Sequence, residues 1–274
     1  LNSRHGMGSG ELSARREKLY RLALLATDHA VSVCEAARQR FVAHGVMPAR
    51  KASVVRNGID LSRFVARNAA AGAALRTALG LPDEVVLFGT VGRLNEAKQQ
   101  GRLLVALRTL LDTGVPAALV IAGDGELRAA LETQTDSLGL RERVRLLGAR
   151  NDVPDLLAAM DVFVLPSRTE GYSLALVEAS AAALPIIATA VGGNAEIVHD
   201  GVTGRVIPAG DDDRLAAAMR ELALDAPRRA SLGAQARAWA LREGSLDAMC
   251  DGYQRLYGEA AQSSAARLRD GISA

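Results

Sequence analysis

Four segments of the 274-residue chain carry side chains whose types and spacing suit an anionic ligand. The first is Gly89-Thr90-Val91-Gly92-Arg93-Leu94, with Lys98 five residues beyond Arg93. Gly92 permits close backbone approach, and a guanidinium fork beside an ammonium point charge can neutralise a diphosphate. Taken alone, the segment is as well explained by a surface Arg and Lys after a turn, since it is neither GxGxxG nor GxxxxGK followed by Ser or Thr. The second runs from Pro166 to Glu178 and joins a strand-like run to a helix beginning near Ser173. At that start the amides of Ser173, Leu174 and Ala175 lack intrahelical acceptors, and with the helix dipole they favour a phosphate. Glu178 lies four residues past Leu174, one turn deeper on the same face, where it can accept from a ribose diol. Glu170 belongs to the preceding loop and points into the cleft. The plainer reading makes Glu170 a helix-start carboxylate and Glu178 a solvated residue. An acid set among Leu174, Leu176, Val177 and Ala181–Ala183 ordinarily has a partner, which weighs for Glu178.

The other segments are less specific. Leu147-Gly148-Ala149-Arg150-Asn151-Asp152-Val153-Pro154 could hold a base by main-chain contacts, or be a helix start with Asp152 as cap and Pro154 in the first turn; the two readings are compatible. Val191-Gly192-Gly193-Asn194-Ala195-Glu196 is adequately explained by turn chemistry. Asp211-Asp212-Asp213 resembles a metal-binding DxD, yet it follows Gly210 and opens a helix, so capping is expected. His29, His44 and His199 show no metal spacing. His5 ends a strand-like run before Gly6, Gly8 and Gly10, where an imidazole can face a cleft from a second domain.

These residues need a scaffold that gathers strand ends. From Val85 onward, β-rich runs alternate with helix-length amphipathic runs, the pattern of parallel strands with right-handed helical crossovers. Strands are expected at 85–91, 117–122, 144–147, 162–165, 186–189 and 204–207, with helices at 100–111, 126–137, 152–160, 174–183 and 213–224. In such an open sheet ligands bind beyond the carboxyl ends of the strands, where the four segments fall. Residues 1–65 read as two strand–helix units of a second sheet, 66–82 as a connection that is part linker and part short helix, and 83–243 as a nucleotide-sugar-binding domain. Residues 244–274 read as a helix returning toward the first part, ending in a frayed tail after Ser263.

Composition narrows the classes. With 49% hydrophobic and 23% charged residues and a net charge of +2, the chain is neither disordered nor low-complexity. Two distant cysteines exclude a disulfide framework and a cysteine zinc site, and suit a reducing compartment. The apolar runs fall far short of the roughly 20 residues of a membrane span. Residues 1–60 carry ten Lys/Arg against five Asp/Glu, which favours an anionic surface near this part, although a solvated helix face explains Arg15, Arg16, Lys18 and Arg21 equally well.

The combination of Gly92-Arg93 with Lys98, Glu170 and Glu178 in "EGYSLALVEA", "NGID" at 57–60 and "GGNAEIV" with "DGVTG" from 192 to 204 resembles the retaining glycosyltransferases of the family 4 type. The resemblance covers roughly residues 30–257. It implies a GT-B fold: an α/β chain with a complete C-terminal Rossmann-like doubly wound domain and a partial N-terminal one, truncated at its front. It implies that Arg93 and Lys98, with Gly92, bind the donor diphosphate, that Glu178 binds the ribose, that the amides around Ser173, Leu174 and Ala175 hold the distal phosphate, and that Arg150 lies under the base through its main chain. Glu170 would hold the donor sugar beside the reacting carbon, and His5 would meet that sugar from the first domain. The implied partners are a nucleoside-diphosphate sugar, as substrate rather than cofactor, and a saccharide or lipid-linked acceptor in surface polysaccharide synthesis. No metal, no cofactor and no nucleic acid is implied, and the location is cytoplasmic or at the inner membrane face. Gln99 departs from the family, standing where a glycine usually follows the lysine. Two other classes are weighed against this. A nicotinamide-dependent dehydrogenase should show GxGxxG after a first strand, which is absent. A non-catalytic nucleotide-sugar-binding module, lacking the acceptor half, stays open.

Overall fold

The computed structural model describes residues 1–4, 14–64, 69–82 and 84–272. His5 lies outside the described residues, so its expected place at the cleft is not among the findings. A three-stranded parallel sheet is formed by β1 (Asn2–Arg4), β2 (Ala30–Ser32) and β3 (Ala52–Val54), in that order. Helices α1 (Ala14–Ala23) and α2 (Glu35–Ala43) supply its crossovers. The Ala/Gly-rich connection is more regular than expected, because Ala69–Ala78 forms a full helix, α3. Alanine carries the highest helix propensity, and a half-buried arginine docks this helix. Arg76 donates to Ala159 O at 3.1 Å and Asp161 Oδ2 at 3.0 Å, and Asp161 Oδ2 also accepts the Leu87 amide at 2.8 Å.

The larger sheet is fully parallel and contains β4 (Val86–Val91), β5 (Ala117–Ala122), β6 (Val144–Gly148), β7 (Val162–Leu165), β8 (Ile186–Thr189) and β9 (Gly204–Ile207). Their spatial order is β6-β5-β4-β7-β8-β9. Intervening helices are α4 (Gly101–Asp112), α5 (Arg128–Ser137), α6 (Val153–Ala159), α7 (Leu174–Ala181), the short α8 (Asn194–Ile197) and α9 (Asp212–Leu224). Side-chain alternation along the strands separates two buried layers. Ala118, Val120 and Ala122 of β5 face one side with Leu156, Leu157, Leu176 and Val177. Ala117, Leu119 and Ile121 face the other with Leu103, Leu107, Leu215 and Met219. Both faces are covered, which favours apolar residues at successive strand positions, and the interior strand β5 is apolar and buried at all six. The first layer continues into Cys34, Phe41 and Met47 of the smaller sheet, giving the two sheets a shared core.

Two helices close the chain, α10 (Ala226–Glu243) and α11 (Leu246–Ile272). Their junction pairs with the NGID segment: the Ile59 amide donates to Gly244 O at 2.9 Å and the Leu246 amide to Ile59 O at 3.0 Å. Helix α11 then reaches the first sheet, where Tyr253 donates to Ser3 Oγ at 3.3 Å. The backbone of α11 is helical through the stretch after Ser263, to Ile272. Among the described residues no helix is long and apolar enough to cross a membrane.

Candidate active site

The strand order reverses between β4 and β7, and the crevice beyond their carboxyl ends is where an open parallel sheet accommodates a ligand. The two loops leaving these strands are tied to each other. The Arg168 amide donates to Ala97 O at 2.8 Å, which holds the β7 loop against the segment following Arg93. Lys98 is fixed at both ends: its amide donates to Asn95 Oδ1 at 3.1 Å and its ammonium to Glu170 Oε1 at 2.6 Å. Ser167, fully buried, donates its hydroxyl to the same carboxylate oxygen at 2.6 Å, and its carbonyl accepts Thr189 Oγ1 at 2.6 Å. The Lys98 and Glu170 side chains are only 20% and 10% exposed, so this is an ion pair in a low-dielectric crevice and not a solvated surface contact. The structure thus brings together Lys98 and Glu170, which are 72 residues apart, and adds Ser167, whose motif position alone gave no signal of this role.

Arg93 presents an exposed guanidinium with no partner among the described residues, while its carbonyl accepts Gln100 Nε2 at 2.9 Å. Gln99 has a φ of 51°, in the left-handed region where an L side chain costs about 1–2 kcal/mol. This explains the family's glycine at that position. Here the strain is borne by a glutamine whose Oε1 accepts Arg102 Nε at 2.9 Å, and Arg102 in turn pairs with Asp212 at 2.5 Å.

Helix α7 opens on the crevice. Ser173 occupies the cap position, but its hydroxyl caps nothing and, at 4% residue exposure, has no hydrogen-bond partner. The amides of the first turn of α7 lack intrahelical acceptors, as at any helix start, and the buried Ser173 hydroxyl lies beside them. Glu178 sits one turn further along α7. The protein partner expected for it is not found: no hydrogen bond or ion pair to its carboxylate occurs among the described residues. Burial therefore raises its pKa above the usual 4.5, and the charge of Arg63 offsets this only in part.

Two further expectations are corrected. Asp152 holds the cap position of α6, yet its carboxylate makes no cap bond, because Arg150 takes it with two hydrogen bonds, one from Nε at 2.7 Å. This pairing holds the Asp152 carboxyl below its ordinary range. It also occupies the Arg150 guanidinium. The Gly192-Gly193 turn does more than turn chemistry requires. At Gly192, with φ +53°, an added Cβ would lie 2.0 Å from Glu170 O, and at Gly193 it would lie 2.9 Å from both Gly171 O and Cys34 Cβ. Only glycines let β8 approach the Glu170 turn this closely. Glu196 just beyond reaches the smaller sheet, accepting Ala36 N at 3.1 Å and Arg56 Nε at 3.2 Å. Cys34 and Arg56 belong to no motif, and Glu196, although it lies in the GGNAEIV segment, gives no sign there of these contacts, which span up to 160 residues.

The aspartate run behaves as expected. Asp211 Oδ1 accepts the Arg214 amide at 2.9 Å and caps α9. Among the described residues no three His, Cys, Asp or Glu side chains converge as metal ligands would.

Comparison with known proteins agrees with this architecture. Residues 73–239 match the family Glycosyl transferases group 1. The UDP-Gal:alpha-D-GlcNAc-diphosphoundecaprenol alpha-1,3-galactosyltransferase of Escherichia coli is 39% identical over 167 residues, covering 60% of this chain and 43% of that protein. The D-inositol 3-phosphate glycosyltransferase of Mycobacterium marinum is 32% identical over 262 residues, covering 89% of this chain and 53% of that protein. The chain thus spans about half the length of these relatives. Among solved structures, Anabaena HepE in complex with UDP and glucose superposes with a TM-score of 0.80 at 24% identity, covering 95% of this chain and 71% of that one. WaaG, a glycosyltransferase involved in lipopolysaccharide biosynthesis, gives 0.71 at 24% identity, covering 88% and 70%. These neighbours are GT-B glycosyltransferases, and their fold is the fold described above. On its sequence, its doubly wound sheet and the crevice at the strand-order reversal, the chain belongs to the Glycosyl transferases group 1 family.

Proposed function

We propose that this chain carries the donor half of an enzyme that moves a sugar from a nucleoside-diphosphate sugar to an acceptor with retention at the anomeric carbon. The observation that carries the reading is the cluster at the β4/β7 crevice: Lys98 held on Glu170 at 2.6 Å, beside a free Arg93 and an unpartnered Ser173 hydroxyl at the start of α7. In this reading Arg93 and Lys98 neutralise the diphosphate, and the open amides of Leu174 and Ala175 receive the distal phosphate. Glu178, which lacks a protein partner, accepts the ribose hydroxyls, and the backbone of 148–150 faces the base. Glu170 meets the sugar hydroxyls, its position set by Ser167 and Lys98. His5, which lies outside the described residues, is assigned to the donor sugar by the family resemblance alone.

The bond from the anomeric carbon to the diphosphate oxygen breaks as the bond to the acceptor oxygen forms on the same face. The protein's cations hold the charge of the leaving group, and a departing phosphate oxygen takes the acceptor proton. No protein nucleophile and no metal ligand set is needed for that sequence. The E. coli and mycobacterial relatives named above act on a lipid diphosphate and on an inositol phosphate, which supports a lipid-linked or saccharide acceptor in envelope or surface polysaccharide synthesis.

The test is a thermal-stability screen with UDP-, GDP- and ADP-sugars. A ligand at a hundred times its Kd should stabilise by about 2.7 kcal/mol. The reading is refuted if crystals soaked with the best ligand place its diphosphate away from both Arg93 and Lys98. Nucleotide binding without donor hydrolysis or transfer, measured by calorimetry and product analysis, would mark a non-catalytic binding module instead.

A further inference from the structure

The carbonyl of Gly171, next to Glu170, receives hydrogen bonds from two sides. The Gly193 amide reaches it at 2.8 Å from the turn after β8. The Cys34 thiol reaches it at 3.3 Å from the smaller sheet. Cys34 is the N-cap of α2, and its sulfur also accepts the Ala37 amide at 3.4 Å, so its single S–H goes to Gly171. The α2 amide before that one, Ala36, donates to Glu196 Oε1 at 3.1 Å, and Arg56 holds the other oxygen of Glu196 at 3.2 Å. The smaller sheet is therefore fastened to the Glu170 turn directly through Cys34, and to its flanking Gly193–Glu196 segment through α2. Burial pushes the Cys34 pKa up to about 11, so the thiol keeps the proton it donates at neutral pH.

We propose that Cys34 is a positioning residue for sugar transfer: from the smaller sheet its thiol sets the Glu170–Gly171 turn, with the Glu196–Ala36 contact as a second fastening. The inference rests on the reading of Glu170 as the sugar-side carboxylate. Its effect falls first on Glu170: Arg93 and Lys98 are carried by the β4 loop and the main chain of 148–150 by the β6 loop, while Leu174, Ala175 and Glu178, which follow Gly171 in the chain, are held by α7, whose Leu176 and Val177 are anchored in the core. A displacement of the turn by a fraction of an ångström misplaces the carboxylate while leaving the diphosphate cradle in place.

The experiment compares the whole chain with Cys34→Ser and Cys34→Ala, using UDP-glucose, GDP-mannose and ADP-glucose as donors. It measures kcat for donor turnover, the Kd of the sugar-free nucleoside diphosphate, and hydrogen exchange in peptides covering 170–173 and 193–196. Cys34→Ala should lower kcat about tenfold, leave the nucleoside-diphosphate Kd within twofold, and speed exchange in those peptides while β5 stays protected. Serine restores a donor and an acceptor at the same position, so Cys34→Ser should recover kcat to within threefold. Glu196→Ala should give the same split, and serves if Cys34→Ala does not fold. Unchanged exchange at Gly193 in both alanine variants would overturn the fastening. Lost protection with unchanged kcat, an equal loss in kcat and Kd, or failure of serine to rescue would overturn its bearing on Glu170. A wild-type chain whose Tm ignores every nucleotide and every donor would instead overturn the site reading, and the exchange comparison would still decide the fastening.

Discussion

Glu178→Gln should stabilise the ligand-free protein while weakening the nucleotide, a pair of opposite signs that few other substitutions would produce. The carboxylate is largely buried on an apolar helix, lacks a hydrogen-bond partner among the described residues, and has its pKa raised by that burial. An unsatisfied buried polar group costs about 1–3 kcal/mol. Partial solvent contact and the facing charge of Arg63 place Glu178 near the low end, at about 1 kcal/mol, or roughly 2–4 °C of Tm for a chain of this size. The pH dependence has a definite sign. Because the folded-state pKa is raised, the folded chain holds its proton where the unfolded chain has lost it. The stability associated with Glu178 is therefore whole below the ordinary 4.5 and is lost as pH rises through the folded-state pKa. Glutamine is neutral throughout, so the variant and the wild type should melt together at pH 4, with the variant higher at pH 7.5. A bound ribose would gain most from the ionised carboxylate. Exchanging a charged acceptor for a neutral one costs about 1–1.5 kcal/mol per hydrogen bond, so the nucleoside diphosphate should bind about tenfold more weakly. Scanning calorimetry across pH and isothermal titration at pH 7.5 give both readings. A variant that melts lower at pH 7.5 and binds the nucleotide as tightly as wild type would refute both the unpartnered carboxylate and its assignment to the ribose.

Three other substitutions probe different parts of the same architecture. Lys98→Ala removes the ammonium held on Glu170 at 2.6 Å and should lower turnover by two or three powers of ten, about 2–4 kcal/mol at the transition state, in a steady-state donor assay; full turnover would refute the assignment. Gly193→Ala places a Cβ 2.9 Å from Gly171 O and Cys34 Cβ, and the forced shift should cost about 1–3 kcal/mol in urea unfolding; an unchanged midpoint would show that the approach is not tight. Asp161→Ala strips Arg76 of its ion pair and the Leu87 amide of its acceptor, and should cost about 3 kcal/mol, read as an earlier urea midpoint and faster exchange in α3 and β4.

The larger sheet was readable in advance because its physics is local. A strand covered on both faces favours apolar residues at successive positions, and Ala117–Ala122 or Val162–Leu165 can hardly be anything else. Most strand and helix bounds fall within a residue or two of expectation. The differences arise where one side chain outcompetes a rule. Asp152 stands where a cap should be, but a guanidinium two residues away is a stronger partner for it than a backbone amide. Arg76 turns a linker-like alanine stretch into a docked helix by reaching Asp161, 85 residues away, a pairing that no window of sequence contains.

The crevice divides along the same line. Residues carried on the strand ends and the α7 start were legible, because the doubly wound topology itself assigns ligands to those places and because Arg, Lys and Glu announce charge. The residues that hold them in register were not. Ser167, Gly193 and Glu196 lie in segments that stand out in the sequence and Cys34 does not, but no motif states their contacts: Ser167, Gly193 and Cys34 bond the Glu170–Gly171 turn, and Glu196 bonds Ala36 and Arg56 beside it. Motif recognition finds what touches a ligand, whereas positioning depends on which distant backbone carbonyl a small side chain happens to meet. The Gly171 carbonyl shows why this matters for chemistry. It is shared between a thiol from one sheet and an amide from the other, so the placement of the neighbouring carboxylate belongs to neither sheet alone. The groups proposed to bind the nucleotide, by contrast, sit on one sheet's loops, so on that reading contacts across the two sheets could move the carboxylate while the diphosphate groups stay in place.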